Sequence, residues 1–213
     1  MSFDIIPSIV TSEPPKLKEQ IRQIEAMADQ AQVDFMDGQF VPLQSVSPFD
    51  LTQTKSSLTL IAHLMVVQPE TYLEPLAQAG IEKVIFHFES TTEPLNLIEK
   101  IRDKKMGVGI AIKLGTPTRV LESLASQVDF VVFLAVKPRA FGSPFQPEVF
   151  KKIAEFRQTQ PKIRVGVDGG IRLENIRFVK DHGVDEVYTG TAIFARGDPL
   201  KNFQALKKTA GND

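Results

Sequence analysis

Carboxylates and imidazoles set inside apolar runs are the residues of this chain placed to do chemistry. Residues 33–40 read VDFMDGQF: Asp34 interrupts a strand-like pattern, and Asp37 follows just ahead of a glycine. Aspartate is a poor strand former and a buried carboxylate is expensive, so Asp34 either caps a strand end or is aimed into a site. Asp168 stands likewise at the end of RVGVD (164–168), His63 lies within LTLIAHLM (58–65), and His87 and Glu89 fall within FHFES (86–90). Two carboxylates facing each other across a substrate can remove a proton from one face of a carbon and return one to the other. Inversion beside a carbonyl requires this, because a single base returns the proton to the face it left unless the intermediate turns. The developing enolate oxygen also needs a cation or hydrogen-bond donors, and His63 could serve as metal ligand or donor.

A second signal lies near the end of the chain. VDGGI (167–171) and YTGTAIF (188–194) bring Gly169, Gly170, Gly190 and Thr191 to two successive strand ends. Glycines there let backbone N–H groups approach an anion, and the phosphate site of many barrels uses these two loops. As ordinary turn glycines they would carry no such meaning; their pairing and order favour the anion site.

Elements of the right kind must position these residues. Strand-like runs occur at 4–9, 32–37, 58–65, 83–88, 107–112, 130–135, 164–168 and 186–190. Helix-like stretches alternate with them: KLKEQIRQIEAMA (16–28) places Leu17, Ile21, Ile24 and Ala28 on one face, and TRVLESLA (118–125) reads as another. Pro94 and Pro147 read as first-turn prolines, and Gly80 and Gly183 as helix stops. Eight strand–helix units predict the α/β class and a single-domain (β/α)8 barrel over residues 1–213. The rival architecture, an open doubly wound sheet, lacks its Gly-x-Gly-x-x-Gly after the first strand. In a barrel the site lies at the C-terminal strand ends, which would gather Ser8, Asp34, His63, His87, Glu89, Lys113, Asp168, Gly190 and Thr191 around one mouth. Asp34 and Asp168, on the second and seventh strands, would then stand on opposite sides of the ring.

Bulk properties narrow the partners. The chain has 213 residues, 24% of them charged, with a net charge of −1 and no basic tract, which argues against nucleic acid. No apolar run is long enough to span a membrane, and MSFDIIPSIV does not read as a signal peptide. Cysteine is absent, which excludes thiolate sites and fits a reducing cytoplasm.

PSIV (7–10), VDFMDGQFVP (33–42), HLMV (63–66), FHFES (86–90), VDGG (167–170) and GTAIF (190–194) together resemble the ribulose-phosphate 3-epimerase family, in its order and spacing and over nearly the whole chain. The resemblance implies a metal-dependent (β/α)8 barrel that interconverts D-ribulose 5-phosphate and D-xylulose 5-phosphate, with members commonly homo-oligomeric. It implies acid/base roles for Asp34 and Asp168. It implies a divalent metal (zinc, iron, manganese or magnesium) on Asp34, Asp168 and His63, and substrate contacts at Ser8, His63, Gly142, Gly169, Gly170, Gly190 and Thr191. The sequence departs from the pattern in four places. The other metal histidine is Gln32, whose amide oxygen suits a hard cation better than zinc or iron. The strand-six glycine loop reads VKPRAFGSPF (136–145), keeping only Gly142 and adding Lys137 and Arg139. Lys113 replaces an asparagine after strand five, and Leu134 a methionine after strand six. Lys113 and Arg139 are either solvated charges or reach an anion of a different substrate. His87 and Glu89 read as a buried structural pair, and His182 as a surface residue at a helix end. The leading reading is therefore a pentulose-phosphate 3-epimerase. Its alternatives are an epimerase or isomerase for another phosphorylated ketose and a non-catalytic sugar-phosphate-binding homologue. A decarboxylase or aldolase is disfavoured because Asp34 is followed by Phe35 and Met36 rather than by an Asp-x-Lys-x-x-Asp pattern.

Overall fold

Period-two alternation decides which side chains meet inside the molecule. In β2 (Gln30–Met36), Ala31, Val33 and Phe35 join the layer beneath the helices, which leaves Gln32, Asp34 and Met36 for the other face. The same alternation in β3 (Thr59–Met65) turns Ile61, His63 and Met65 inward. The computed structural model, which describes residues 3–137 and 142–211, closes these strands into a ring. β1 (Asp4–Ile9) pairs with β2 and with β8 (Glu186–Thr189). β3 to β7 follow in chain order, with β4 at Lys83–His87, β5 at Gly107–Ile112, β6 at Phe130–Leu134 and β7 at Arg164–Asp168. All eight pairings are parallel.

The interior is filled by Ile6, Ile61, Ile85, Ala111, Phe130, Val132 and Tyr188. Glycine makes room for the two aromatic rings: a Cβ at Gly109 would lie 2.4 Å from the Phe130 ring, and one at Gly166 2.9 Å from the Tyr188 ring. Outside the ring pack α1 (Pro14–Glu25), α2 (Pro48–Thr52), α3 (Leu73–Gln78), α4 (Pro94–Asp103), α5 (Val149–Thr159), α6 (Ile176–Asp181), α7 (Thr191–Phe194) and α8 (Pro199–Ala210). Gly80 and Gly183, both at positive φ, follow the ends of α3 and α6 as the sequence predicts. Pro94 opens α4, but α5 begins at Val149, two residues beyond Pro147.

One expected helix is absent. TRVLESLA folds as a 3₁₀ turn at Thr118–Leu121, followed by another at Ala125–Gln127. Thr118, Val120, Ser123 and Ser126 are weak helix formers. No helix of the described residues is long and apolar enough to cross a membrane.

Candidate active site

The register brings the polar residues together. Ser8 pairs with Gln32, Asp34 with His63, and Leu134 with Asp168. β2 and β7 are three strands apart around the ring, not diametrically opposed as the sequence suggested. Their carboxylates converge on one imidazole: His63 Nδ1 lies 3.0 Å from Asp34 Oδ1 and 3.0 Å from Asp168 Oδ2. Gln32, fully buried, donates its amide to both acids, at 2.8 Å to Asp34 Oδ1 and 3.1 Å to Asp168 Oδ2. Its own Oε1 is buried without a hydrogen-bond partner among the described residues.

These contacts set the charges. Burial and the nearby charge of Asp168 raise the Asp34 carboxyl above its ordinary range, against the hydrogen bonds from His63 and Gln32. A carboxylate shifted toward neutrality is a better proton acceptor at physiological pH. Burial opposes the His63 imidazolium, yet hydrogen bonds and charge from Asp168 and Asp34 outweigh it and push the ring up to about 10. Behind His63, its Nε2 meets His87 Nε2 at 3.0 Å. Burial holds His87 down at about 4.

A cavity of about 340 Å³ opens above the acids. Ser8, Asp34, Gly142, Asp168, Gly169, Gly170, Gly190 and Thr191 all line it, so most of the predicted site is brought to one mouth. Its walls are apolar at Met36, Met65 and Leu134. Gly169 and Gly170 adopt φ of 96° and 71°, which an L side chain rarely takes. Asn175 fixes this turn, donating Nδ2 to the Gly170 carbonyl at 2.9 Å and accepting from the Arg172 N–H at 2.8 Å. A Cβ at Gly190 would lie 2.5 Å from the Ser8 carbonyl oxygen, so β1 and the start of α7 can meet only at glycine.

Other expected residues stand elsewhere. His63 is fully buried and reaches the cavity floor only through the two acids. Lys113 places its ammonium 3.6 Å from the Phe40 ring centroid, a cation–π contact. Lys137 is exposed, and Arg139 lies outside the described residues. Asp37 braces a turn, accepting N–H groups of Gln39, Phe40 and Val67. His182 is exposed just beyond α6, as expected. Sequence reasoning missed Gln32 as a donor to both acids, although period-two alternation already put it on the face of Asp34. It also missed Lys16 and Arg172, which line the mouth and carried no motif to mark them.

The residues present suit a divalent ion. Asp34, His63 and Asp168 offer ligand atoms within 4.8 Å of one another, an oxygen–nitrogen set appropriate to such a cation. The unpartnered Gln32 Oε1 is available as a further oxygen if the amide turns over.

A closed parallel (β/α)8 barrel with a buried Asp–His–Asp group below glycine turns is the frame of a barrel enzyme. The model of the ribulose-phosphate 3 epimerase family matches residues 4–194. A ribulose-phosphate 3-epimerase of Schizosaccharomyces pombe is 32% identical over 96% of this chain and 92% of its own length. One of Mycobacterium leprae is 32% identical over 97% and 95%. The chain belongs to the ribulose-phosphate 3-epimerase family and is an isomerase of the carbohydrate-epimerase class. The tryptophan synthase α-subunit of Pyrococcus furiosus superposes over 99% of this chain and 100% of its own with a TM-score of 0.73 at 12% identity, a likeness of fold alone.

Proposed function

We propose that this pentose-phosphate epimerase inverts C3 of D-ribulose 5-phosphate, giving D-xylulose 5-phosphate, with Asp34 and Asp168 as the two proton-transfer groups. The observation that carries this reading is the convergence of both carboxylates on one buried imidazole beneath a cavity lined by glycine turns. One aspartate, ionised, takes the C3 proton and leaves an enediolate; the other, protonated at the outset, delivers its proton to the opposite face, so the pair ends with the proton exchanged between them. Burial raises the Asp34 carboxyl toward the range in which it can both accept and return a proton. Gln32 and His63 hold the two acids in place from below. The turns at Gly169–Gly170 and Gly190–Thr191 offer backbone N–H groups to the phosphate, with Ser8 beside them. Met36, Met65 and Leu134 keep the reacting carbon among apolar groups. A divalent cation bound by Asp34, His63 and Asp168, with Gln32 Oε1 as a further donor, would supply positive charge to the enediolate oxygens.

Lys16 and Arg172 at the mouth favour a second reading, a phosphorylated ketose carrying more negative charge, and a substrate panel separates the two. A cytoplasmic homo-oligomer completes the proposal, and light scattering coupled to size exclusion tests the assembly. The activity is tested by proton NMR of the purified protein with D-ribulose 5-phosphate in heavy water, with and without chelator. Loss of the C3 proton with appearance of xylulose 5-phosphate is expected. No exchange with any of zinc, iron, manganese or magnesium would refute the pentulose-phosphate reading.

A further inference from the structure

Behind the acids lies a buried chain of polar groups that acid–base chemistry does not use. His63 Nε2 faces His87 Nε2 at 3.0 Å, and His87 Nδ1 faces Glu89 Oε2 at 3.4 Å. Both histidines are fully buried, and His87 Nδ1 and Glu89 Oε2 have no other hydrogen-bond partner among the described residues. The other carboxylate oxygen, Glu89 Oε1, accepts the Lys113 backbone N–H at 2.9 Å and the Thr116 hydroxyl. The turn carrying these donors is itself pinned, because the Lys152 ammonium donates to the carbonyls of Lys113, Leu114 and Thr116.

We infer that Glu89 and His87 are positioning residues that dictate which nitrogen of His63 keeps its proton, and so make Nδ1 the one that yields to a divalent cation. The inference rests on the divalent-metal reading of the Asp34–His63–Asp168 group. A carboxylate accepts only, so the ring nitrogen facing it, His87 Nδ1, carries the hydrogen. In a neutral ring Nε2 is then a lone pair. Only one hydrogen fits between the two Nε2 atoms, and it must therefore belong to His63. Without metal, His63 Nδ1 carries the hydrogen that the two carboxylates accept. A cation has only that hydrogen to displace, and Nδ1 then presents its lone pair while Nε2 keeps its own hydrogen. Partners that fix a ligand histidine's tautomer are a general feature of metal sites.

The relay makes a counterintuitive prediction about Glu89→Gln, which is nearly isosteric. Two fixed donors hold the acceptor side, so the new amide must keep its oxygen there and turn its NH₂ toward His87. His87 Nδ1 then becomes the acceptor, its Nε2 carries the hydrogen, and His63 is left with its proton on Nδ1, pointing at the metal position. Glu89→Ala merely releases the relay. A packing role ranks the two variants the other way, because alanine leaves the larger void.

The test is a comparison of wild type, Glu89→Gln and Glu89→Ala by long-range ¹H–¹⁵N correlation of the histidine rings, without metal and with Zn²⁺. Binding of Zn²⁺ and of Mn²⁺ to the metal-free proteins is measured by calorimetry. Wild-type His87 is expected to carry its hydrogen on Nδ1, and Glu89→Gln to move it to Nε2. Glu89→Gln should bind either ion about 10- to 100-fold more weakly, with Glu89→Ala between it and wild type. Wild-type His87 protonated on Nε2, or Glu89→Ala binding as weakly as Glu89→Gln, overturns the inference. The wild-type tautomer decides the matter even if a variant does not fold. Wild type that binds neither ion overturns the metal reading and this inference about the metal with it, while the His87 tautomer still shows separately whether the relay exists.

Discussion

Replacing Gln32 by leucine tests the hydrogen bonding under the acids most directly. The amide donates to two carboxylates at 2.8 and 3.1 Å from a fully buried position. A hydrogen bond to a charged group contributes about 1.5–3 kcal/mol, so the gross loss is about 3–6 kcal/mol. Leucine also removes the unpartnered Oε1, which relieves about 1–3 kcal/mol, and its volume fills the site without a large void. The midpoints of these two ranges leave a net destabilisation of about 2–3 kcal/mol, or a fall in Tm of about 4–12 °C for a chain of this size. Thermal and urea denaturation of metal-free protein at neutral pH measure it. Added divalent cation should shrink the difference, because positive charge between the acids replaces what the amide supplied. A metal-free Gln32→Leu protein as stable as wild type would refute the reasoning, since the amide would then not be what holds the paired charges.

Asp34→Asn and Asp168→Asn should each lower turnover by about 10²–10⁴-fold while leaving the fold intact, and near-normal C3 exchange in both would end the two-acid mechanism. Gly170→Ala sets a Cβ 2.7 Å from the Phe145 backbone at a φ of 71°, so KM for the phosphorylated substrate should rise about tenfold or more, with a smaller change in kcat. An unchanged KM would remove that turn from the phosphate site. His87 gives the pH dependence: its folded value of about 4 lies below the ordinary 6.5, so the unfolded chain binds the proton first as pH falls. Its contribution is therefore complete above 6.5 and is lost as pH falls through 4, about 3 kcal/mol at most. Denaturation of metal-free protein at pH 7 and pH 4.5 should show this loss in wild type and not in His87→Gln, and equal acid sensitivity in both would refute it.

The sequence by itself determined the barrel, because strand and helix periods alternate eight times and each strand carries its own alternation. That alternation also placed Asp34, His63 and Asp168 at one end of the ring, and the glycine pairs marked turns that line the cavity mouth. It misjudged TRVLESLA, where apolar spacing suggested a helix and weak helix formers gave 3₁₀ turns. Tertiary structure alone decided what depends on atoms from distant strands meeting. Barrel closure put Gln32 against an acid 136 residues away, so that a substitution read as weakening a metal site also donates hydrogen bonds to both carboxylates. The same closure stacked His87 on His63 and anchored Glu89 on the turn after β5, giving a pair read as structural a line of contact to the acids. Periodicity fixes the face on which a side chain lies, because it is a property of the local backbone. Which donor finds which acceptor depends on register and closure, which no local stretch contains.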